Sequence, residues 1–109
     1  MATTRVVDQN MLDEIVRRIV EVAQPERIIL FGSAARGEMG PHSDLDLLVI
    51  KGGEYHRGDL TGDIYMNMYG AGHAVDIIVA TPEDIERYGE SPYLVYMPAL
   101  RDGRVIYGK

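Results

Sequence analysis

Apolar side chains at Met11, Leu12, Ile15, Val16, Ile19, Val20 and Ala23 recur at the spacing of one helical face. They predict an amphipathic helix over residues 8 to 23, with Asp8 as its N-cap and Pro25 barring its continuation. The period then changes. "RIILF" (27 to 31), "LDLLVI" (45 to 50) and "AVDIIVA" (74 to 80) are short apolar runs, the last rich in β-branched residues, and each reads as a strand. Between the second and third runs, Leu60, Ile64 and Met68 stand four apart in "GDLTGDIYMNMYGAG". That spacing predicts a crossover helix, weakened by Gly62 and ended near Gly70, with Met66 and Met68 both read as core filler. "TPED" carries the marks of a helix start, with Thr81 as cap, Pro82 in the first turn and acids after it. "SPYLVYMPAL" is ambiguous, because Pro98 would break a helix begun at Ser91. "RDGRVIY" reads as a glycine turn feeding a short final strand.

Helices and strands therefore alternate within 109 residues, which is one domain, 1–109, with no internal repeat or linker. At 46% hydrophobic and 26% charged the composition is globular, and no apolar run approaches the roughly 18 residues of a membrane span. The opening "MATTRVVDQN" lacks an apolar core, and the absence of cysteine excludes disulfides and thiolate metal sites. Both features fit a cytoplasmic protein. A net charge of −6 disfavours direct binding of nucleic acid, which needs a surplus of Lys and Arg on the protein.

One feature breaks the apolar pattern. Asp44 and Asp46 stand two apart, so on a strand they project from the same face while Leu45 and Leu47 fill the other. Two carboxylates held that close disfavour joint ionisation. A divalent cation removes the conflict, and Mg²⁺ prefers one or two carboxylates with phosphate oxygens and water. Asp76 interrupts the third strand in the same way, and beside the second strand it would join the same cluster. Three such carboxylates can hold two metals about 3.5–4 Å apart, an arrangement suited to phosphoryl chemistry.

Gly32 and Ser33 supply the complementary half. Gly-Ser directly after a strand lets backbone approach a ligand closely, and a helix begun by "SAAR" would turn its N–H groups toward an anion. The Ser33 hydroxyl adds a donor, and Arg36 offers a charged fork to a phosphate. Taken singly, each feature has an ordinary explanation. Gly-Ser makes turns, Asp44 can cap a loop, Arg36 can be a solvated charge, and His42, His56 and His73 lack ligand spacing. Their joint occurrence is the stronger signal: Gly-Ser, ten residues, Asp-x-Asp, then an aspartate in a further apolar strand.

In this combination the chain resembles the DNA polymerase beta-like nucleotidyltransferase superfamily, and "GSAARGEMGPHSDLDLLV" is similar to its small bacterial branch, the minimal nucleotidyltransferases. The resemblance runs from the opening helix through Asp76 and the "TPED" helix, with no departure from the signature. It implies an α+β fold, a mixed β-sheet of about four strands flanked by helices. It implies ATP or another nucleoside triphosphate held by the Gly32-Ser33 loop, where Arg36 would add its charge, and two Mg²⁺ ions on Asp44, Asp46 and Asp76. Asp76 would also help to deprotonate the acceptor hydroxyl.

Larger members of the superfamily carry an added acceptor-binding domain, for which this length leaves no room. The small branch resembles antitoxins paired with HEPN-domain toxins, which implies transfer of AMP to a toxin tyrosine in a hetero-oligomer. Tyr93, Tyr96 and Tyr107 then read either as a docking surface or as cover for the open edge of the sheet. Two alternatives stay open: an antitoxin acting by contact alone, and a nucleotidyltransferase for a small molecule of the aminoglycoside type.

Overall fold

In a computed structural model of the chain, which describes residues 8–37, 44–88 and 96–108, the Asp8 carboxylate caps α1 (Gln9–Ala23) by accepting from the N–H groups of Asn10 (2.9 Å) and Met11 (3.4 Å). Leu12, Ile15, Ile19 and Ala23 form its buried stripe, as their spacing predicts. Gln24, in the left-handed region at φ 46°, closes the helix ahead of Pro25. On the solvent side Glu14 accepts from Arg17 and Arg18, and these charge-assisted bonds, Arg17 foremost, lower its pKa to about 2.

Four strands form one sheet in the order β3-β2-β1-β4: β1 (Arg27–Phe31), β2 (Leu45–Ile50), β3 (Val75–Ala80) and β4 (Arg104–Gly108). β1 runs antiparallel to β2 and β4, whereas β2 and β3 are parallel, so the sheet is mixed. The parallel pair requires a crossover, and α3 (Arg57–Met66) provides it. The His56 ring caps α3 through Nδ1, which accepts from the Asp59 N–H at 3.1 Å; that is a structural role for this histidine. His42 lies outside the described residues.

Alternation along the strands sorts their side chains into two cores. Ile28, Leu30, Leu45, Leu47, Val49, Ile77 and Val79 face α1 and α3, packing with Ile15, Ile19, Ile64 and Met68. Ile29, Phe31, Leu48, Ile50 and Ala80 face the other way, with Ala99, Ile85 and Leu100 of α4 (Pro82–Tyr88) and α5 (Tyr96–Asp102). The result is a three-layer α+β fold. Leu47 is fully buried at the centre, so Leu47→Ala is expected to cost about 2–5 kcal/mol in urea unfolding.

α4 starts as its sequence predicts. Thr81 Oγ1 accepts from the Asp84 N–H (3.0 Å) and Asp84 Oδ2 accepts from the Thr81 N–H (3.1 Å), a reciprocal capping box. Those bonds, with Arg57 at 2.6 Å, hold the Asp84 carboxyl below its ordinary pKa. Thr81→Ala should therefore lower stability by about 1 kcal/mol, measured by denaturant unfolding. Pro98 falls in the first turn of α5, where a missing N–H costs little, so it sits near the start of a helix; Ser91 lies outside the described residues. Gly103 then lets the chain pass between α5 and β1, since a Cβ there would stand 2.6 Å from Ile29 Cγ2 and 3.0 Å from the Leu30 carbonyl.

Met66 departs from the expected pattern. Ile64 and Met68 are buried, but Met66 is 68% exposed, because it lies off the four-residue row that faces the sheet. Tyr107 is half-buried and packs against the first core, so it helps to cover the sheet. Tyr93 and the side chain of Tyr96 lie outside the described residues.

Candidate active site

Strand register decides which acidic residues meet. Asp46 pairs with Phe31 across the antiparallel β1–β2 ladder and with Asp76 across the parallel β2–β3 ladder. Phe31, Asp46 and Asp76 thus form a row over three strands, on the face that continues into Ile29, Leu48, Ile50 and Ala80. Asp44 immediately precedes β2, two residues from Asp46. Asp46 is half-buried, and Asp44 and Asp76 are exposed.

The electrostatics follow from this placement. Burial raises the pKa of Asp46 above the ordinary carboxylate value, Asp76 and then Asp44 raise it further, and Arg36 opposes them. All three carboxylates and the one guanidinium therefore act within a single field. Arg36 stands just after α2 (Gly32–Ala35), a single turn whose Ser33 and Ala34 carbonyls accept from the N–H groups of Arg36 and Gly37, both at 3.2 Å.

Gly32 is required by this geometry. Its φ is +72°, a region that favours glycine, and a Cβ there would run into Asp46 Oδ2 and stand 3.1 Å from Asp46 Cγ. The carboxylate of β2 thus lies directly on the backbone that ends β1. Ser33, half-buried, follows in the same turn.

The donor set is hard oxygen. Among the described residues no three His, Asp or Glu side chains are gathered closely enough to hold a metal ion by themselves. Mg²⁺ needs no such cage, since it is commonly held by one or two carboxylates while phosphate oxygens and water fill its octahedron. The opposed Asp46 and Asp76 fit that use, with Asp44 beside them.

A cavity of about 870 Å³ opens at the opposite end of the sheet, lined by Pro25, Glu26, Arg27, Ile50, Pro82, Ile85, Tyr107 and Gly108. It holds none of the aspartates. Chemistry, rather than size, places the candidate active site at the Asp46 end.

Two features escape strand-by-strand reading. The Tyr65 hydroxyl accepts from the Ile77 N–H at 2.8 Å, tying α3 to the edge strand one residue beyond Asp76. Exposure of Met66 and Tyr69 beside it is the second. The signal for Met66 was its position outside the Leu60, Ile64, Met68 row.

A mixed sheet thus brings two aspartates of adjacent parallel strands into register beside a glycine-led turn. The nucleotidyltransferase domain family model matches residues 11–102, and the chain belongs to that family. No curated protein matches it. Its fold is similar to that of a candidate nucleotidyltransferase from Sulfolobus solfataricus (TM-score 0.62, 23% identity, 92% of this chain and 79% of that one). It is also similar to a toxin–antitoxin crystallised with AMP-PNP (TM-score 0.55, 16% identity, 94% and 75%). A third likeness is to a mutant of the MntA–HpeT toxin–antitoxin in which two aspartates are changed to glutamate (TM-score 0.53, 14% identity, 94% and 75%). At these identities the likeness is one of fold. No helix among the described residues is long and apolar enough to cross a membrane.

Proposed function

We propose that the chain transfers AMP from ATP to a protein hydroxyl, as the antitoxin of a pair whose toxin is a HEPN-domain protein and whose acceptor is a toxin tyrosine. The observation that carries the chemistry is Asp46 in register with Asp76, with Gly32 packed against the Asp46 carboxylate. The toxin partner is supported by fold likeness to toxin–antitoxin structures, one with a nucleotide analogue and one altered at two aspartates.

Asp44, Asp46 and Asp76 would hold two Mg²⁺ ions, which neutralise charge on the triphosphate and on the oxygens that attack and leave. The Gly32–Ser33 turn brings backbone and a hydroxyl to the phosphates, and Arg36 adds a cation that already acts on Asp46. Asp76, exposed at the start of β3, accepts the acceptor's proton as its oxygen bonds to the α-phosphorus. The α-phosphorus–oxygen bond to the β-phosphate breaks, and pyrophosphate leaves with the electron pair.

Incubation with α-labelled ATP, Mg²⁺ and the protein encoded beside this chain should label that partner. An unlabelled partner with folded protein would reject the reading. Toxin neutralisation that survives Asp44→Asn with Asp46→Asn would favour an antitoxin acting by contact, and label on a small molecule without any protein would favour the aminoglycoside-type alternative.

A further inference from the structure

Asp76 stands where a strand is least constrained. It is the second residue of β3, an edge strand whose one strand neighbour is β2, and β3 follows a turn containing Gly70 and Gly72. Backbone at the end of an edge strand opens readily, because few cooperative bonds hold it. The proposed chemistry nevertheless needs the Asp76 carboxylate opposite Asp46 and within about 0.5 Å of one productive position.

The outer side of this backbone is tied down. Ala74 and Ala80 turn their carbonyls to the β2 side, where they accept from the N–H groups of Leu45 (3.0 Å) and Lys51 (2.9 Å). Alternation along the strand turns the Asp76 carbonyl the same way, and the Ile77 N–H, the other half of that planar peptide unit, away from β2. There the Tyr65 hydroxyl accepts from it at 2.8 Å. The peptide that leaves the Asp76 Cα therefore faces β2 on one side and is bonded to α3 on the other.

Tyr65 itself does not enter the site. Its helix packs on the face of Ile77 and Val79, while Asp76 alternates with them and shares the other face with Ile78 and Ala80. Any influence on the carboxylate runs through the main chain. The anchor for it is firm, because Ile64 and Met68 on either side of Tyr65 are buried, and Arg18 of α1 donates to the Asn67 carbonyl (3.2 Å) while Asn67 Nδ2 donates to that of Arg18 (2.9 Å). Water would satisfy an edge N–H equally well, so what the hydroxyl adds is a fixed place for the strand.

We infer that Tyr65 is a positioning residue, whose hydroxyl fixes the Asp76–Ile77 peptide at the edge of the sheet and so sets the Asp76 carboxylate for metal and for the acceptor's proton. This rests on the proposed transfer and on the role given there to Asp76.

The test is Tyr65→Phe, which removes the hydroxyl and keeps a ring that is 39% exposed, with Tyr69→Phe, the same loss on a side chain 79% exposed, as control. In metal-free protein the Ile77 amide of Tyr65→Phe should exchange with solvent about tenfold faster or more, read by NMR. In label transfer to the protein encoded beside this chain, kcat should fall about tenfold while the KM for ATP stays within about twofold, and the Mg²⁺ concentration for half-maximal rate should rise. Tyr69→Phe should change none of these. Unchanged Ile77 exchange overturns the inference, as does an equal loss of kcat in Tyr69→Phe. A lower melting temperature with kcat and Mg²⁺ requirement intact also overturns it, because the hydroxyl would then serve stability alone. If wild-type protein labels no partner, the transfer reading fails separately, and positioning is read from the rise in Tm with Mg²⁺ and ATP: a smaller rise in Tyr65→Phe than in wild type supports it and an equal rise overturns it. Wild-type protein that neither labels the partner nor gains stability from Mg²⁺ and ATP overturns both.

Discussion

Replacing Asp46 by asparagine is expected to cut nucleotidyl transfer by at least about a hundredfold while raising the melting temperature in metal-free buffer. The loss follows from removing the carboxylate that lies between Asp44, Asp76 and the Gly32 turn. The gain follows from proton linkage. Burial, then Asp76 and Asp44, raise the folded-state pKa of Asp46 above its unfolded value, so the folded protein binds this proton more tightly. Stability contributed by the protonated form is complete below the unfolded pKa and is lost as pH climbs through the raised folded pKa. At neutral pH the ionised carboxylate is therefore a cost that asparagine removes. Solvent still reaches the side chain and screens the repulsion, which limits the gain to roughly 2–4 °C. The difference between the two proteins should shrink as pH falls below the carboxylate range. A thermal melt series against pH, without metal, checks both the sign and the window.

Substituting Gly32 by alanine should abolish activity and destabilise the fold, whereas Gly37→Ala should only destabilise it. Both glycines have φ +72°, so each substitution forces an L-residue into the left-handed region at about 1–2 kcal/mol. Their surroundings differ. A Cβ at Gly37 meets nothing within 4 Å, while one at Gly32 collides with the Asp46 carboxylate, 3.1 Å from its Cγ and 3.4 Å from its Cβ. The extra stability lost by Gly32→Ala, measured by urea unfolding, isolates the contact between the turn and the carboxylate. Equal losses and equal activities in the two variants would mean that Gly32 serves only its backbone conformation.

The elements were readable where local pattern and burial agree. α1 shows its stripe because one face of a surface helix is buried, and the three apolar runs became β1, β2 and β3 because both faces of those strands are covered. The "TPED" start was legible because a capping box is formed by residues three apart. Long-range relations were less accessible. That Asp46 opposes Asp76 depends on strand order and register, which bring together residues thirty apart in sequence and which no local spacing encodes. The aspartates stood out as polar breaks in apolar runs, yet their meeting required the parallel pairing of β2 and β3. Met66 resembles core when only composition is considered, but it stands two residues, about half a helical turn, from the buried Ile64 and so turns to solvent. The Tyr65 hydroxyl on the Ile77 N–H likewise joins two elements that only the fold brings together.

The central physical claim is that acidic side chains are tolerated in this apolar sheet because a magnesium-bound triphosphate neutralises them. Melting curves in ATP with Mg²⁺, compared with ATP alone and Mg²⁺ alone, test it most directly. Mg²⁺ with ATP at about a hundred times its Kd should stabilise the wild-type fold by about 2.7 kcal/mol, several degrees in Tm, and leave a variant carrying Asp46→Asn and Asp76→Asn unmoved. A wild-type Tm indifferent to Mg²⁺ and ATP together, or an equal rise in the double variant, would contradict it.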